Sequence, residues 1–239
     1  MPTHSLDAFT LRSYPLGESD RIVVLFSREQ GLGRAVAKGA RKSGSSLAGR
    51  IEPLVRCRFL LADCRGLDIV SQCETVRAFP ALRRDLSRLM QALCLAELTM
   101  AALGEGSPHP EAFDRFDEAL HSMCRLDPQL VALWYQLKLL EDLGYRPSFD
   151  FCVLCGAPIE GESFFSPQEG GAMCCRGGLR LSPLVRETLS LLQEAGVSSL
   201  DSLHPGKEVL GDAHRLLGEH IKLRIDARLK ASSLLPLLG

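Results

Sequence analysis

Residues 31–54 read GLGRAVAKGARKSGSSLAGRIEPL, and this stretch decides how the rest of the chain is read. It opens as an alternation. Arg34, Val36 and Lys38 fall on one face of an extended chain, and Ala35 and Ala37 on the other. The alternation stops at KGARKSGSS (38–46), a segment with no bulky apolar side chain. Residues 28–58 carry eight cations (Arg28, Arg34, Lys38, Arg41, Lys42, Arg50, Arg56, Arg58) and two acids (Glu29, Glu52). That is a local surplus of six positive charges in a chain whose net charge is −1. Such a surplus marks a surface for a polyanion. Amides, hydroxyls and cations in a segment this small can all approach phosphates. The other reading is a mobile, solvated loop between two strands, and both stand at this point.

Working outward, four more short apolar runs surround the stretch, at 8–14, 22–27, 54–62 and 67–76. In the run 54–62, Val55, Cys57, Phe59 and Leu61 alternate with Arg56 and Arg58, which places both guanidinium groups away from the strand's apolar side. Five strands in so short a segment bury their apolar faces most economically by closing into a small barrel. The long polar link at 39–53 sits where an OB-fold carries its variable connection between strands three and four; a generic SH3-like barrel is the alternative. OB barrels bind single strands through a cationic groove and exposed aromatics. Phe26 and Phe59 read as core, which leaves Tyr14 as the candidate stacking platform. The candidate nucleic-acid contacts are therefore cationic: Arg34, Lys38, Arg41, Lys42, Arg50 and Arg56. If four to six of them touch phosphates, the logarithm of the binding constant falls against log salt with a slope of about −3 to −4.

Near residue 80 the period changes from two to 3.6. Pro80 opens a helix whose apolar stripe runs through Leu82, Leu86, Leu89, Leu93, Ala96, Met100 and Leu103 to Gly104 and Gly106. Further helices are expected over 110–126, 128–143 with Trp134 in the core, 183–195 and 207–228. His204, His214 and His220 read as surface or interfacial residues. The chain thus divides into a barrel at 1–80 and a helical region at 81–239, with a cysteine-bearing insertion at about 150–178. The fold class is α+β: a five-stranded N-terminal OB-fold barrel, then an all-helical domain carrying a zinc-ribbon-like cysteine knob.

That insertion holds CVLCG (152–156) and GGAMCC (170–175). Two cysteine pairs separated by a loop fit a tetrahedral thiolate site, with Cys152, Cys155, Cys174 and Cys175 as ligands and structural zinc as the metal. The second pair is adjacent where C-x-x-C is usual, so a three-thiolate site with a distant ligand and a knob without metal are the alternatives. The other five of the nine cysteines are scattered through strand and helix patterns and read as small buried hydrophobes.

The 239 residues are 46% hydrophobic and 24% charged, ordinary for a globular protein. No apolar run is long enough to span a bilayer, and MPTHSLDAF lacks a secretory pattern, so a cytoplasmic location is expected. No G-x-x-x-x-G-K-[ST] or G-x-S-x-G is present, and no carboxylate pair stands out. The expectation is a binding protein without an active site.

Several blocks carry a family resemblance. YPLGESDRIV (14–23), FSREQG (26–31) and AKGARKS (37–43) precede LLEDLGYRP (139–147), CVLCG (152–156), FSP (165–167) with Gly170 and Gly171, and the tail LKASSL (229–234). In this order they resemble the bacterial RecO DNA repair family. The resemblance implies an N-terminal OB-fold and a helical part with a zinc-ribbon-like insertion. It implies binding to single- and double-stranded DNA and annealing of complementary strands. It also implies cooperation with RecR and RecF, recognition of the acidic C-terminal tail of the single-stranded DNA-binding protein SSB, and help in loading the RecA recombinase. Lys38, Arg41 and Lys42 match the family's basic block. The competing readings are an RNA-binding OB protein with a zinc knob, a thiol oxidoreductase using Cys152 and Cys155, and a scaffold whose helices carry the function.

Overall fold

The structure is a computed structural model and describes residues 2–225. Strands β1 (Thr3–Leu16), β2 (Asp20–Ser27), β3 (Gly31–Ala37), β4 (Arg56–Ala62) and β5 (Asp68–Arg77) close into a barrel in the order β1-β2-β3-β5-β4. All pairings are antiparallel except β3 with β5, which is parallel and covers only Ala35–Asp68 and Val36–Ile69. The barrel is an OB-fold, as expected. The alternation holds: Ala35, Ala37, Cys57 and Phe59 are buried inside, and Arg34 and Lys38 are exposed.

The first two strands are longer than their apolar runs. β1 spans 14 residues because its two halves serve two partners: residues 3–9 pair with β4, and residues 8–16 pair with β2. Both Phe9 and Phe26 are buried, but not in the barrel interior. They lie against Phe113 and Phe116 with ring centroids 5.2–6.2 Å apart. One apolar core therefore runs from this side of the barrel into the helices, while Phe59, Ala8, Val23 and Leu25 form a second core inside the barrel.

The helical part comprises α1 (Pro80–Arg84), α2 (Leu86–Ala102), α3 (Pro110–Met123), α4 (Pro128–Asp142), α5 (Pro183–Glu194), a 3-10 turn (Val197–Ser202) and α6 (Lys207–Arg224). The single helix expected from residue 80 is broken. Asp85 is extended at φ −128° and its carboxylate accepts from the Arg88 amide, so it caps a new helix. The apolar stripe passes across the break and hides it from a periodicity reading. Trp134 is buried as expected, with Nε1 donating to the Ala195 carbonyl at 3.0 Å. The last helix, expected to run to Arg228, ends at Arg224 with Ile225 as an extended cap; residues 226–228 and the tail at 229–234 lie outside the described residues.

The histidines depart from the sequence reading in part. His204 is exposed, but His220 is buried and shares a hydrogen bond with the Tyr145 carbonyl at 2.9 Å. His214 contacts the Gln129 carbonyl at 3.0 Å, and burial pushes its imidazole down to about 4. The unfolded chain therefore binds a proton more tightly than the native one. His214's contribution is present above pH 6.5 and is lost as pH falls toward 4. Across that window stability should fall by up to about 3 kcal/mol. Urea midpoints measured at pH 7 and at pH 5 check this, and His214→Gln should flatten the difference.

Candidate nucleic-acid surface and metal centre

The link at 39–53 is not a mobile loop but a plug over one end of the barrel. Ile51 and Ala40 are buried in the barrel core, and Leu47 packs against it. Its first turn is tied down from two sides. The Gly39 amide donates to Asp20 Oδ1 at 2.8 Å, and the Arg41 amide to the Ser19 carbonyl at 2.9 Å. Gly39 has φ +66°, a conformation that a side chain would disfavour. The Gly39 amide, the Ser19 hydroxyl and the nearby lysines all hold the Asp20 carboxyl below its usual range.

This anchoring leaves Lys38, Arg41 and Lys42 exposed together on a fixed turn. Arg41 reaches back to the Gly17 carbonyl at 2.7 Å, and none of the three forms an ion pair among the described residues. Arg50 leaves the plug on another side, where Nη1 donates to the Cys73 carbonyl at 2.7 Å.

The other two sequence candidates are placed differently. Arg34 sits on the outer face of β3, but Glu105, in the link between α2 and α3, holds it at 2.9 Å. That link runs along the open edge of β3. The Gly106 amide donates to the Leu32 carbonyl at 2.8 Å, and a Cβ at Gly31 would lie 1.9 Å from the Ser107 oxygen.

Arg56 does point away from the barrel interior, as its position in the alternation requires. That side of the barrel is covered by α3. Its guanidinium meets Asp7 through two bonds of 2.8 and 3.1 Å, meets Asp117 at 3.0 Å, and lies over the Phe113 ring at 5.1 Å. Arg77 joins the same Asp117 at 2.9 Å. With only 22% of its side chain exposed, Arg56 is a bolt between barrel and helices, not part of an open cationic face. Its removal would leave Asp7 without its cation and Asp117 with Arg77 alone. Arg56→Ala should cost about 3 kcal/mol, which corresponds to a melting temperature lower by roughly 6–12 °C for a chain of this size. A thermal melt beside the wild type checks it.

The pattern extends across that face. Arg12 pairs with Glu97, and Arg28 with Asp114, so arginines of the barrel repeatedly meet acids of the helical part. The cationic surplus counted along the sequence is therefore divided. Arg28, Arg34 and Arg56 are matched by acids of the helical part (and Arg56 also by Asp7 of β1), while Lys38, Arg41, Lys42, Arg50 and Arg58 form no ion pair among the described residues.

The cysteine insertion forms its own small sheet, with β6 (Ser163–Ser166), β7 (Gly171–Met173) and β8 (Leu179–Leu181) in the order β7-β6-β8. Residues 148–159 fold against it. The Val153 amide donates to the Ala172 carbonyl at 3.0 Å, and the Ala172 amide to the Ser148 carbonyl at 2.8 Å. Gly171 allows this approach, because a Cβ there would stand 2.5 Å from the Ser148 oxygen. Cys152 and Cys155 lie on a tight turn closed by the Gly156 amide on the Cys152 carbonyl at 2.9 Å.

Adjacent residues of an extended strand point to opposite sides. Cys174 and Cys175 escape that rule because the strand ends at Met173 and the chain bends there. All four sulfurs converge within 4.8 Å of one another, with Cys152–Cys175 at 3.7 Å and Cys155–Cys174 at 3.6 Å. A tetrahedron with metal–sulfur bonds of about 2.3 Å has sulfur–sulfur edges of roughly 3.8 Å. The four side chains thus fit a single metal ion, and no distant fourth ligand is needed. Cys152 is the natural first thiolate. The amides of Cys155 and Cys174 point at its sulfur and pull its thiol down to about 5, whereas thiol contact with Cys155 and Cys152 pushes Cys174 up to about 12.

With this geometry in place, comparison with known proteins is informative. The family model described as Recombination protein O N terminal matches residues 1–79, and that described as Recombination protein O C terminal matches residues 83–233. The chain belongs to the RecO family. It is 40% identical to the DNA repair protein RecO of Pelotomaculum thermopropionicum over 73% of this chain and 68% of that protein. It is 36% identical to RecO of Synechococcus sp. strain JA-3-3Ab over 98% of this chain and 84% of that protein. RecO of Anaeromyxobacter dehalogenans is also 36% identical, over 98% of each chain. The RecO resemblance carried by the basic block and the C-x-x-C-G block is thus borne out, and the role that follows is DNA repair. No helix among the described residues of this RecO-family chain is long and apolar enough to cross a membrane.

Proposed function

We propose that this chain is a nucleic-acid-binding mediator of DNA repair that binds single- and double-stranded DNA and anneals complementary strands without a chemical step. The observation that carries the reading is the anchored turn presenting Lys38, Arg41 and Lys42, none of which forms an ion pair among the described residues although Asp20 lies nearby. Cations fixed by backbone bonds meet phosphates with little ordering cost, and phosphate contacts carry no base information. Neutralising the phosphates of two strands lowers their mutual repulsion, which is the main barrier to pairing that a protein without an energy source can remove. In this reading Arg34 contributes only if a phosphate displaces Glu105, and Arg56 does not contribute. With three to four contacts in place of the four to six first considered, the salt slope on a single strand becomes about −2 to −3. A fluorescence titration of an oligodeoxynucleotide across salt concentrations tests this, and a slope near zero would sink the reading. Competition by a ribo-oligomer of the same sequence separates a DNA protein from an RNA protein.

The metal in the cysteine knob is zinc in this reading, held by Cys152, Cys155, Cys174 and Cys175. Its contribution is structural: it crosslinks the turn at 152–155 to the end of β7. The partners implied by family membership are RecR and RecF, the acidic tail of SSB and, through them, RecA loading on SSB-coated DNA. They belong to the same proposal, and pull-down with each purified partner tests them.

A further inference from the structure

A second cationic surface lies on the face of the barrel formed by β4 and β5. A groove of about 600 Å³ runs there between the plug and the two strands. Arg50 stands on its plug side and Arg58 on β4, and the hydroxyls of Ser5, Ser46 and Ser71 line it. Arg58 is exposed and faces away from the barrel core. No ion pair is formed by Arg50 or Arg58 among the described residues. Two acids are opposite Arg58 in the ladders, Asp7 on β1 and Glu74 on β5; Asp7 is held by Arg56, and Glu74 borders the groove.

This surface is separate from the Lys38–Lys42 turn. That turn is tied to the β1–β2 connection through Ser19, Asp20 and Gly17, whereas Arg50 is tied to β5 through the Cys73 carbonyl. The plug therefore holds cations at both of its ends, on different sides of the barrel mouth, with Leu47, half-buried against the barrel core, between them.

Resting on the nucleic-acid reading above, we infer that the Arg50–Arg58 groove is a second sugar–phosphate track that holds the complementary strand while the Lys38–Arg41–Lys42 turn holds the first. The occupant is a single strand of nucleic acid. Two guanidinium groups in a row of hydroxyls offer hydrogen bonds and charge to phosphates. No exposed aromatic ring lines the groove to favour a base. Two tracks divided by an anchored plug keep the strands apart until their bases meet beyond it.

The test uses the full chain and Arg58→Gln, because Arg58 makes no bond that the fold requires. Arg50 is left intact, since it ties the plug to β5. Two readouts are compared at one salt concentration: affinity for a labelled oligothymidylate too short to occupy both tracks, and the rate of annealing of two complementary oligodeoxynucleotides. The expected result is an affinity unchanged within about twofold and an annealing rate lower by about fivefold, the loss of one phosphate contact near 0.1 M salt. Arg58→Lys should restore most of the rate, and Glu74→Gln should raise it. Equal losses in both assays would mean one continuous track and would overturn the inference. No change in either assay would also overturn it, since the groove would then hold no strand. Failure of the wild type to bind oligothymidylate is a different outcome, because it removes the nucleic-acid reading itself.

Discussion

Replacing Lys38, Arg41 and Lys42 together by Ala is expected to weaken binding to single-stranded DNA by about 100-fold near 0.1 M salt. The size follows from counterion release. Each phosphate contact on a single strand contributes about 0.7 to the salt slope, so three contacts contribute roughly two decades at that concentration. The same variant should lower the slope by about 2, and the loss should be even across base sequences. The fold should be unaffected, because the anchoring bonds use the backbone amides of Gly39 and Arg41 and the Asp20 carboxylate, none of which the variant removes. Among the described residues, the only side-chain bond lost is that of Arg41 to the exposed Gly17 carbonyl. A variant that binds as tightly as the wild type with an unchanged slope would show that the turn is a structural feature alone. A wild type with strong sequence preference that the variant loses would show base contacts instead.

Stripping the metal is expected to be the other large effect. The purified chain should carry one zinc ion, and Cys155→Ser or Cys174→Ser should release it. A bound ion present at a thousand times its dissociation constant stabilises a fold by about 4 kcal/mol. At 2–4 °C per kcal/mol, chelation should lower the melting temperature by roughly 8–16 °C. The damage should begin locally. Hydrogen exchange should rise first in the turn at 152–156 and in the bend after Met173, since only the metal joins them at the sulfurs. Phe149, Phe165 and Leu181 belong to the main apolar core and should keep the base of the insertion in place. Replacing Cys174 and Cys175 separately is informative: with all four sulfurs converging, each should matter about equally. A chain free of metal whose melt ignores chelators would refute this. So would a Cys175→Ser variant that retains zinc, since it would restore a three-thiolate site.

Much of the fold was readable because its signals are local. Short apolar runs, several of them alternating, placed the five strands, Pro and Gly marked most helix ends, and the segment at 38–42 stood out as a cluster of cations. The cysteine pairs were visible as pairs. What remained hidden depended on residues distant in the chain. Arg34 and Arg56 read as open cations because their acids, Glu105 and Asp117, lie 71 and 61 positions away. The helix break at Asp85 was hidden because the cap changes the backbone without interrupting the apolar stripe. The convergence of Cys174 with Cys175 needed the end of β7, which no spacing rule supplies.

By itself, then, the order of residues determined that strands close into a barrel ahead of helices, that cations gather in one segment, and that four cysteines come as two pairs. Period and composition act between near neighbours, and near neighbours are what a sequence displays. Only the tertiary structure decided which cations remain available and whether the sulfurs share one point. An arginine facing out of a barrel is solvated or neutralised according to what packs over it, and here α3 and the link before it cover one side and leave the plug uncovered.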